Sequence, residues 1–111
     1  MKAHGAVASK VLDEKTVDAA LADPATAPIS EKLRATLLFL RKVTREHEAV
    51  TPEDVEALLA LGVTKQGVRD ALNVCFAFNV ITRLADTFEF EVGSKASFDA
   101  GAEGLLSRGY R

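Results

Sequence analysis

A strong helix-start pattern at 50–55 (VTPEDV) constrains the fold more than any other stretch of the chain. Thr51 stands at the N-cap, where a hydroxyl accepts a hydrogen bond from a free backbone N–H. Pro52 occupies the first helical position, where the N–H that proline lacks would have no helical partner. Asp54 stands where the second half of a capping box belongs. The pattern predicts a helix that begins at Pro52.

A second helix start follows closely. Gly62 predicts that the first of these helices ends in a residue of positive φ. Thr64 predicts the cap of a long helix over about 65–86. Residues 55–72 therefore have the pattern of a helix-turn-helix. A plain helical hairpin is the favoured interpretation and DNA recognition the alternative, because the second helix continues into an apolar run at 74–81.

That apolar run (VCFAFNVI) predicts a helix buried on most sides, either at the centre of the domain or in a subunit interface. Asn79, Arg83 and Asp86 are spaced i, i+4 and i+7, so one polar line follows the helix. We interpret this line as structural, with Arg83 held by Asp86. Contact with a ligand is the alternative.

The rest of the chain completes an all-α pattern. Towards the N-terminus it predicts a helix over 2–12 without an N-terminal boundary, a short helix over 17–22 capped by Thr16, and a loop over 23–28. A helix capped by Ser30 follows. After the long helix it predicts an extended arm or short strand over 88–92 and a short helix over 97–107. We expect one all-α domain of five or six helices over 1–111, in which 93–111 is a C-terminal extension.

Composition and charge narrow the classes of function. Of the 111 residues, 48% are apolar and 27% charged, as in an ordinary globular domain. Fourteen basic and sixteen acidic residues give a formal charge of -2, which argues against a nucleic-acid partner. No stretch approaches about eighteen uncharged apolar residues, and the N-terminus lacks the apolar segment of a signal peptide. We therefore expect a cytoplasmic protein with neither nucleic acid nor a membrane as its partner.

Three side chains are candidates for chemistry. The single cysteine, Cys75, has apolar neighbours in sequence and is interpreted as an inert packed thiol; alone it forms neither an internal disulfide nor a cysteine-based zinc site. His47 lies at a polar helix end, where a solvated role is expected. His4 differs because small residues surround it at 3–8, which allow another helix to approach. It is either a histidine of an interface or the remnant of a site.

Several motifs together are similar to those of a known family. The residues AHGA at 3–6, Phe78-Asn79 and RLAD at 83–86 are the most specific of them. They resemble the alkylhydroperoxidase AhpD-like branch of the carboxymuconolactone decarboxylase superfamily, in its peroxidase-related members. The resemblance covers nearly the whole chain up to about Val92. Thr82 departs from it, since relatives often carry an Asn there.

The resemblance implies a helical bundle, a homo-oligomer and a thiol site without cofactor or metal. In that family Cys-x-x-Cys, three further residues and a His lie on one helix, with an acidic residue upstream. A thiolate attacks a peroxide and then closes a disulfide with its partner, while the His relays protons. Only the His carries over, as His4. The second cysteine would stand immediately before Met1, so the first helix is expected to be truncated.

Three functions follow as alternatives. In the first, the chain is the C-terminal part of an AhpD-like thiol peroxidase, an antioxidant oxidoreductase, and is inactive by itself. Its full-length parent would take a peroxide or another small molecule as its substrate. Alternatively, it is a cysteine-less relative that serves as a non-catalytic oligomeric structural or regulatory protein. The helix-turn-helix DNA-binding module is the third. The decarboxylase branch remains a second possible parent chemistry, which AHGA fits less well.

Overall fold

The computed structural model describes the backbone of residues 2–109 and the side chains of residues 4–109. Within these residues it contains six α-helices and no β-strand, which confirms the predicted all-α class. The helices are α1 (Lys2–Val11), α2 (Glu14–Ala22), α3 (Glu31–Arg45), α4 (Pro52–Ala60), α5 (Lys65–Thr87) and α6 (Lys95–Arg108), and a 3-10 turn (His47–Ala49) lies between α3 and α4.

The chain forms two compact units. The terminal unit takes its residues from both ends of the chain, up to Pro28 and from Glu91 onwards, and contains α1, α2 and α6. The central unit, Ile29–Phe90, contains α3, α4 and α5. In the terminal unit α1 packs against both α2 and α6, so the segment expected as a C-terminal extension supplies one of its helices.

The central unit is built around one buried side chain from each of its helices. Phe39 of α3, Leu58 of α4 and Val68 of α5 form this core. Half-buried residues surround them: Ala35, Leu40, Val43, Val50, Val55, Leu59, Val63 and Leu72. Removal of this apolar surface from water stabilises the α4–α5 hairpin against α3.

The helix starts of the central unit lie where the sequence predicts them. Ser30 caps α3 by accepting a hydrogen bond from the backbone N–H of Leu33, and Thr64 caps α5 by accepting one from Gly67. The Asp54 carboxylate accepts from the backbone N–H of Thr51 at 2.8 Å, which is the second half of the predicted capping box.

The start of α2 corrects a prediction. Thr16 was expected to cap a helix over 17–22, but the helix begins at Glu14 and its N-cap is Asp13. Asp13 Oδ1 accepts from the backbone N–H of Thr16 at 2.9 Å. Hydrogen bonding with the Thr16 side chain, and secondly with this N–H, lowers the pKa of the Asp13 carboxyl. A carboxylate three residues ahead of the threonine therefore replaces its hydroxyl as the cap.

The chain after α5 also differs from expectation. The alternation over 88–92 predicted an extended arm or a short strand, but Phe88 and Glu89 form a turn and Phe90–Ser94 is irregular. The last helix is longer than the predicted 97–107, since Ser94 caps it by accepting from the N–H of Ser97.

Two helices end in the same hydrogen-bonded turn. After α4, the N–H of Val63 donates to the carbonyl of Leu58, and Gly62 has φ 82°. After α5, the N–H of Phe90 donates to the carbonyl of Ala85, and Glu89 has φ 51°. Both are Schellman turns, in which a left-handed residue lets two N–H groups reach the last carbonyls of the helix. The positive φ of Gly62 was predicted, and that of Glu89 was not.

Candidate functional site

The polar line on α5 is a chain of hydrogen bonds. Asn79 Nδ2 donates to the carbonyl of Cys75 at 2.9 Å and lies 3.4 Å from its Sγ. Arg83 Nη1 donates to Asn79 Oδ1 at 2.9 Å and to the Asn79 carbonyl at 2.7 Å. The structure thus brings together Asn79 and Arg83, the first two residues of the predicted line.

The prediction that Asp86 holds Arg83 is wrong. Asp86 was expected to hold Arg83 from one turn further along, but the guanidinium points back along the helix to Asn79. Both partners are within reach on a helix surface, since residues three and four apart are neighbours. Asn79 offers two acceptors, its side-chain and backbone oxygens, and the guanidinium uses both.

Cys75 lies on α5, and its side chain contacts α3. It is half-buried, and its Sγ is 3.5 Å from the Thr44 hydroxyl of α3. With Asn79 Nδ2 on its other side, the sulfur has two polar contacts in addition to its apolar sequence neighbours. Contact with Thr44 depends on tertiary packing, so sequence spacing alone does not reveal it.

His4 lies on α1 with an exposed side chain, in the terminal unit. His47 lies in the 3-10 turn after α3 and is also exposed, as expected. The small residues beside His4 were expected to admit a neighbouring helix. At Gly5, however, an added Cβ would meet no other atom within 4 Å, so α1 has open space on this side.

An open cavity of about 570 Å³ lies between α1, α2 and α6. Its wall begins at Gly5 and Ala6, directly after His4, and Val17, Leu21 and Phe98 supply apolar surface. The rim carries Lys10, Lys95 and three carboxylates.

Both lysines of the rim are engaged by carboxylates. Lys10 pairs with Glu103 at 3.3 Å, and Lys95 pairs with Glu14 at 3.3 Å and with Asp99 at 3.7 Å. The hydrogen bond to Glu14 and the charge of Asp99 raise the pKa of Lys95. A cavity with an apolar wall and a rim on which three carboxylates face two lysines suits a small neutral molecule better than an anion.

A buried surface predicted for α5 is instead exposed. The side chain of Phe76 is 72% exposed and that of Ile81 is 50% exposed, and Val74 and Val80 are exposed as well. Burial of the 74–81 run at the centre of the domain is therefore wrong. The exposed side chains are compatible with the other predicted location, a subunit interface.

Within residues 2–109, no group of three or more His, Cys, Asp or Glu side chains is arranged to hold a metal ion. In the same part of the chain, none of the helices combines the length and apolar character that a membrane crossing requires.

Comparison of the chain with family models, with curated proteins and with solved structures yields no match.

Proposed function

We propose that this chain is an AhpD-like helical domain of the carboxymuconolactone decarboxylase superfamily that carries the site histidine, His4, without the paired cysteines. The hydrogen bond of Arg83 to Asn79 is the observation that supports this best. These two residues belong to the motifs Phe78-Asn79 and Arg83–Asp86 that carry the resemblance, and they contact each other on α5. The all-helical architecture agrees with a helical bundle.

The parent chemistry of the proposal is the reduction of a peroxide by two thiols. A thiolate attacks one peroxide oxygen, the O–O bond breaks and the leaving alkoxide takes up a proton, which yields an alcohol and a sulfenic acid. The second thiol attacks the sulfenic sulfur, and a disulfide forms with the release of water. The proposed role of His4 is to accept and return the protons of these steps.

The 111-residue chain cannot complete these two steps by itself. Cys75 is its only cysteine, so the second step has no intramolecular partner. We expect the 111-residue chain to show no thiol-dependent peroxide turnover, and Cys75→Ser to change nothing. Peroxide consumption that persists in Cys75→Ser would show that another chemistry operates.

A gain-of-function experiment tests the proposal more sharply. An N-terminal extension that carries a Glu and then Cys-x-x-Cys directly ahead of Met1 places the second cysteine at the family's spacing from His4. In the Cys75→Ser background, we expect this extension to confer consumption of an organic hydroperoxide in the presence of a dithiol reductant. The matched control replaces both added cysteines by Ser. An extended chain that keeps its helical circular dichroism but consumes peroxide no faster than the control would contradict the proposal.

A non-catalytic role in an assembly is the second candidate, and the exposed apolar side chains of α5 favour it. Under this alternative the extension gives no activity, while the assembly of the chain is unaffected.

A further inference from the structure

The cavity between α1, α2 and α6 has the size and the lining of a site for a small molecule. Its volume of about 570 Å³ lies within the range of about 300–1,000 Å³ that is usual for ligand pockets. Its wall combines apolar side chains with a few polar groups, which is the ordinary composition of such a site. The residues that line it all belong to the terminal unit, so the site does not depend on the central unit.

One face of α2 supplies both apolar wall and a carboxylate. Leu21 lies four residues after Val17 and three after Asp18, so these side chains share one face of the helix, and all three line the cavity. From α6 comes the half-buried ring of Phe98. A ligand in the cavity would therefore meet hydrocarbon from two helices and a carboxylate beside it.

The charges around the cavity are unbalanced towards the negative. Each of the two lysines of the rim already pairs with at least one carboxylate. Asp18 differs, because no lysine, arginine or histidine side chain within residues 4–109 forms an ion pair with it. The place beside its carboxylate therefore favours a cation that comes from outside the described part of the chain.

The neutral polar side chain of the wall is also suited to a donor. Ser9 Oγ donates to the carbonyl of Gly5 at 2.9 Å, so its hydroxyl hydrogen is used within α1. Only the lone pairs of this oxygen remain for a ligand, and the carboxylate of Asp18 is likewise an acceptor. Both groups therefore suit a ligand that donates hydrogen bonds, which a primary ammonium does with three N–H groups.

We propose that this cavity binds a small amphipathic amine, with the ammonium group at the Asp18 carboxylate and the apolar body against Leu21 and Phe98. An ammonium gains a charge-assisted hydrogen bond there, which is stronger than the bond of a neutral donor. An anion would meet the surplus negative charge of the rim. The site is independent of the proposed function, because α6 lies after the part of the chain that resembles the family and His4 is not one of the described residues that line the cavity.

Three probes that share one hydrocarbon body test the class of ligand. Phenylbutylamine, phenylbutanol and phenylbutanoate are titrated into the full chain at neutral pH, and NMR chemical shifts measure each dissociation constant. We expect the dissociation constant of the amine to be at least about 10-fold below that of the alcohol, because a hydrogen bond to an ionised group is the stronger one. The acid should bind most weakly. No binding of the amine at millimolar concentration, or an amine that binds no better than the alcohol, would overturn the proposal.

A pair of charge variants locates the ammonium group. Asp18→Asn keeps the size of the side chain and removes its charge, so it should raise the dissociation constant of phenylbutylamine by about 10-fold and leave that of phenylbutanol unchanged. Asp70→Asn, an exposed change on α5, is the matched control and should alter neither. The same affinity for the amine in the two folded variants, as judged by circular dichroism, would overturn the proposal.

A pair of leucine variants locates the apolar body. Leu21 and Leu106 are 54% and 51% exposed, and of the two only Leu21 lines the cavity. Leu21→Ala should weaken the amine and the alcohol alike, by about 3-fold or more, because both lose the same hydrocarbon contact. Leu106→Ala should weaken neither. Equal affinities in these two variants would show that the probes bind elsewhere and would likewise overturn the proposal.

Discussion

Lys42 of α3 and Asp54 of α4 form a bidentate ion pair, with Lys42 Nζ 2.8 and 2.7 Å from the two carboxylate oxygens of Asp54. The same carboxylate accepts the backbone N–H of Thr51, so one side chain caps α4 and ties it to α3. Both charged side chains are partly buried, which protects the pair from full screening by solvent.

Removal of the Asp54 carboxylate should destabilise the central unit. Asp54→Ala takes away the cap of α4 and leaves Lys42 without its partner, so we expect the thermal unfolding midpoint to fall by a few degrees. Glu56→Gln, an exposed change on the same helix, is the control and should leave the midpoint in place. Equal midpoints for the two variants would show that the pair contributes nothing.

The contribution of Asp54 should depend on pH with a definite sign. Hydrogen bonds from Lys42 and from the Thr51 N–H lower the pKa of the Asp54 carboxyl below its ordinary value of 3.8. A carboxyl whose pKa is lower in the folded state stabilises that state fully above its unfolded pKa, and this stabilisation is lost as the pH falls through the lower folded pKa.

The difference in unfolding free energy between the unaltered chain and Asp54→Asn should therefore be constant from pH 7 to about pH 5 and shrink below about pH 4. Urea unfolding followed by circular dichroism measures it. A difference that stays the same down to pH 2 would mean that ionisation of Asp54 plays no part.

The two Schellman turns should respond in opposite ways to substitution. Glu89→Gly relieves a left-handed conformation that costs a residue with a Cβ about 1 kcal/mol, so it should stabilise the chain by up to that amount. Glu89→Gln keeps the Cβ and should give no such gain. Gly62→Ala imposes the strain and should cost about 1 kcal/mol, since the added Cβ meets only the flexible end of Lys32. Denaturant unfolding measures the free energy of unfolding of the three variants. A loss of stability in Glu89→Gly would contradict the assignment of this turn.

The core of the central unit gives a prediction of larger magnitude. Leu58 is 3% exposed and Leu61, just beyond the same helix, is 36% exposed. Leu58→Ala leaves a cavity between three helices and should cost about 2–5 kcal/mol, whereas Leu61→Ala should cost much less. Chemical denaturation compares the two. Similar losses for both would indicate that α4 does not pack as described.

Helix starts were predictable because caps are local. Ser30 and Thr64 each accept from a backbone N–H three residues further on, and Asp54 accepts from the backbone N–H of Thr51 three residues before it, so sequence spacing is enough to find these caps. The same argument failed at α2, where Asp13 and Thr16 both have side chains suited to capping. The choice between them depends on the tight turn after α1, in which Asp13 has φ 86°.

The candidate site was predictable only in part. The spacing of Asn79, Arg83 and Asp86 placed them along one helix, but it allowed Arg83 either partner, and in the structure the guanidinium binds Asn79. Likewise, the apolar run of α5 predicts that residues 74–81 are covered by other apolar surface. Whether its own chain or another covers it is a question of tertiary structure, and here its own chain leaves Phe76 and Ile81 exposed.

The rate of peroxide consumption by the extended chain, with and without His4, tests the central proposal most directly. In the Cys75→Ser background with Glu and Cys-x-x-Cys added ahead of Met1, the account predicts that His4→Ala lowers the rate by about 100-fold or more, as loss of a proton-transfer group does. His47→Ala, the other exposed histidine, should leave the rate unchanged. Equal rates for the extended chain and its His4→Ala variant would contradict the account.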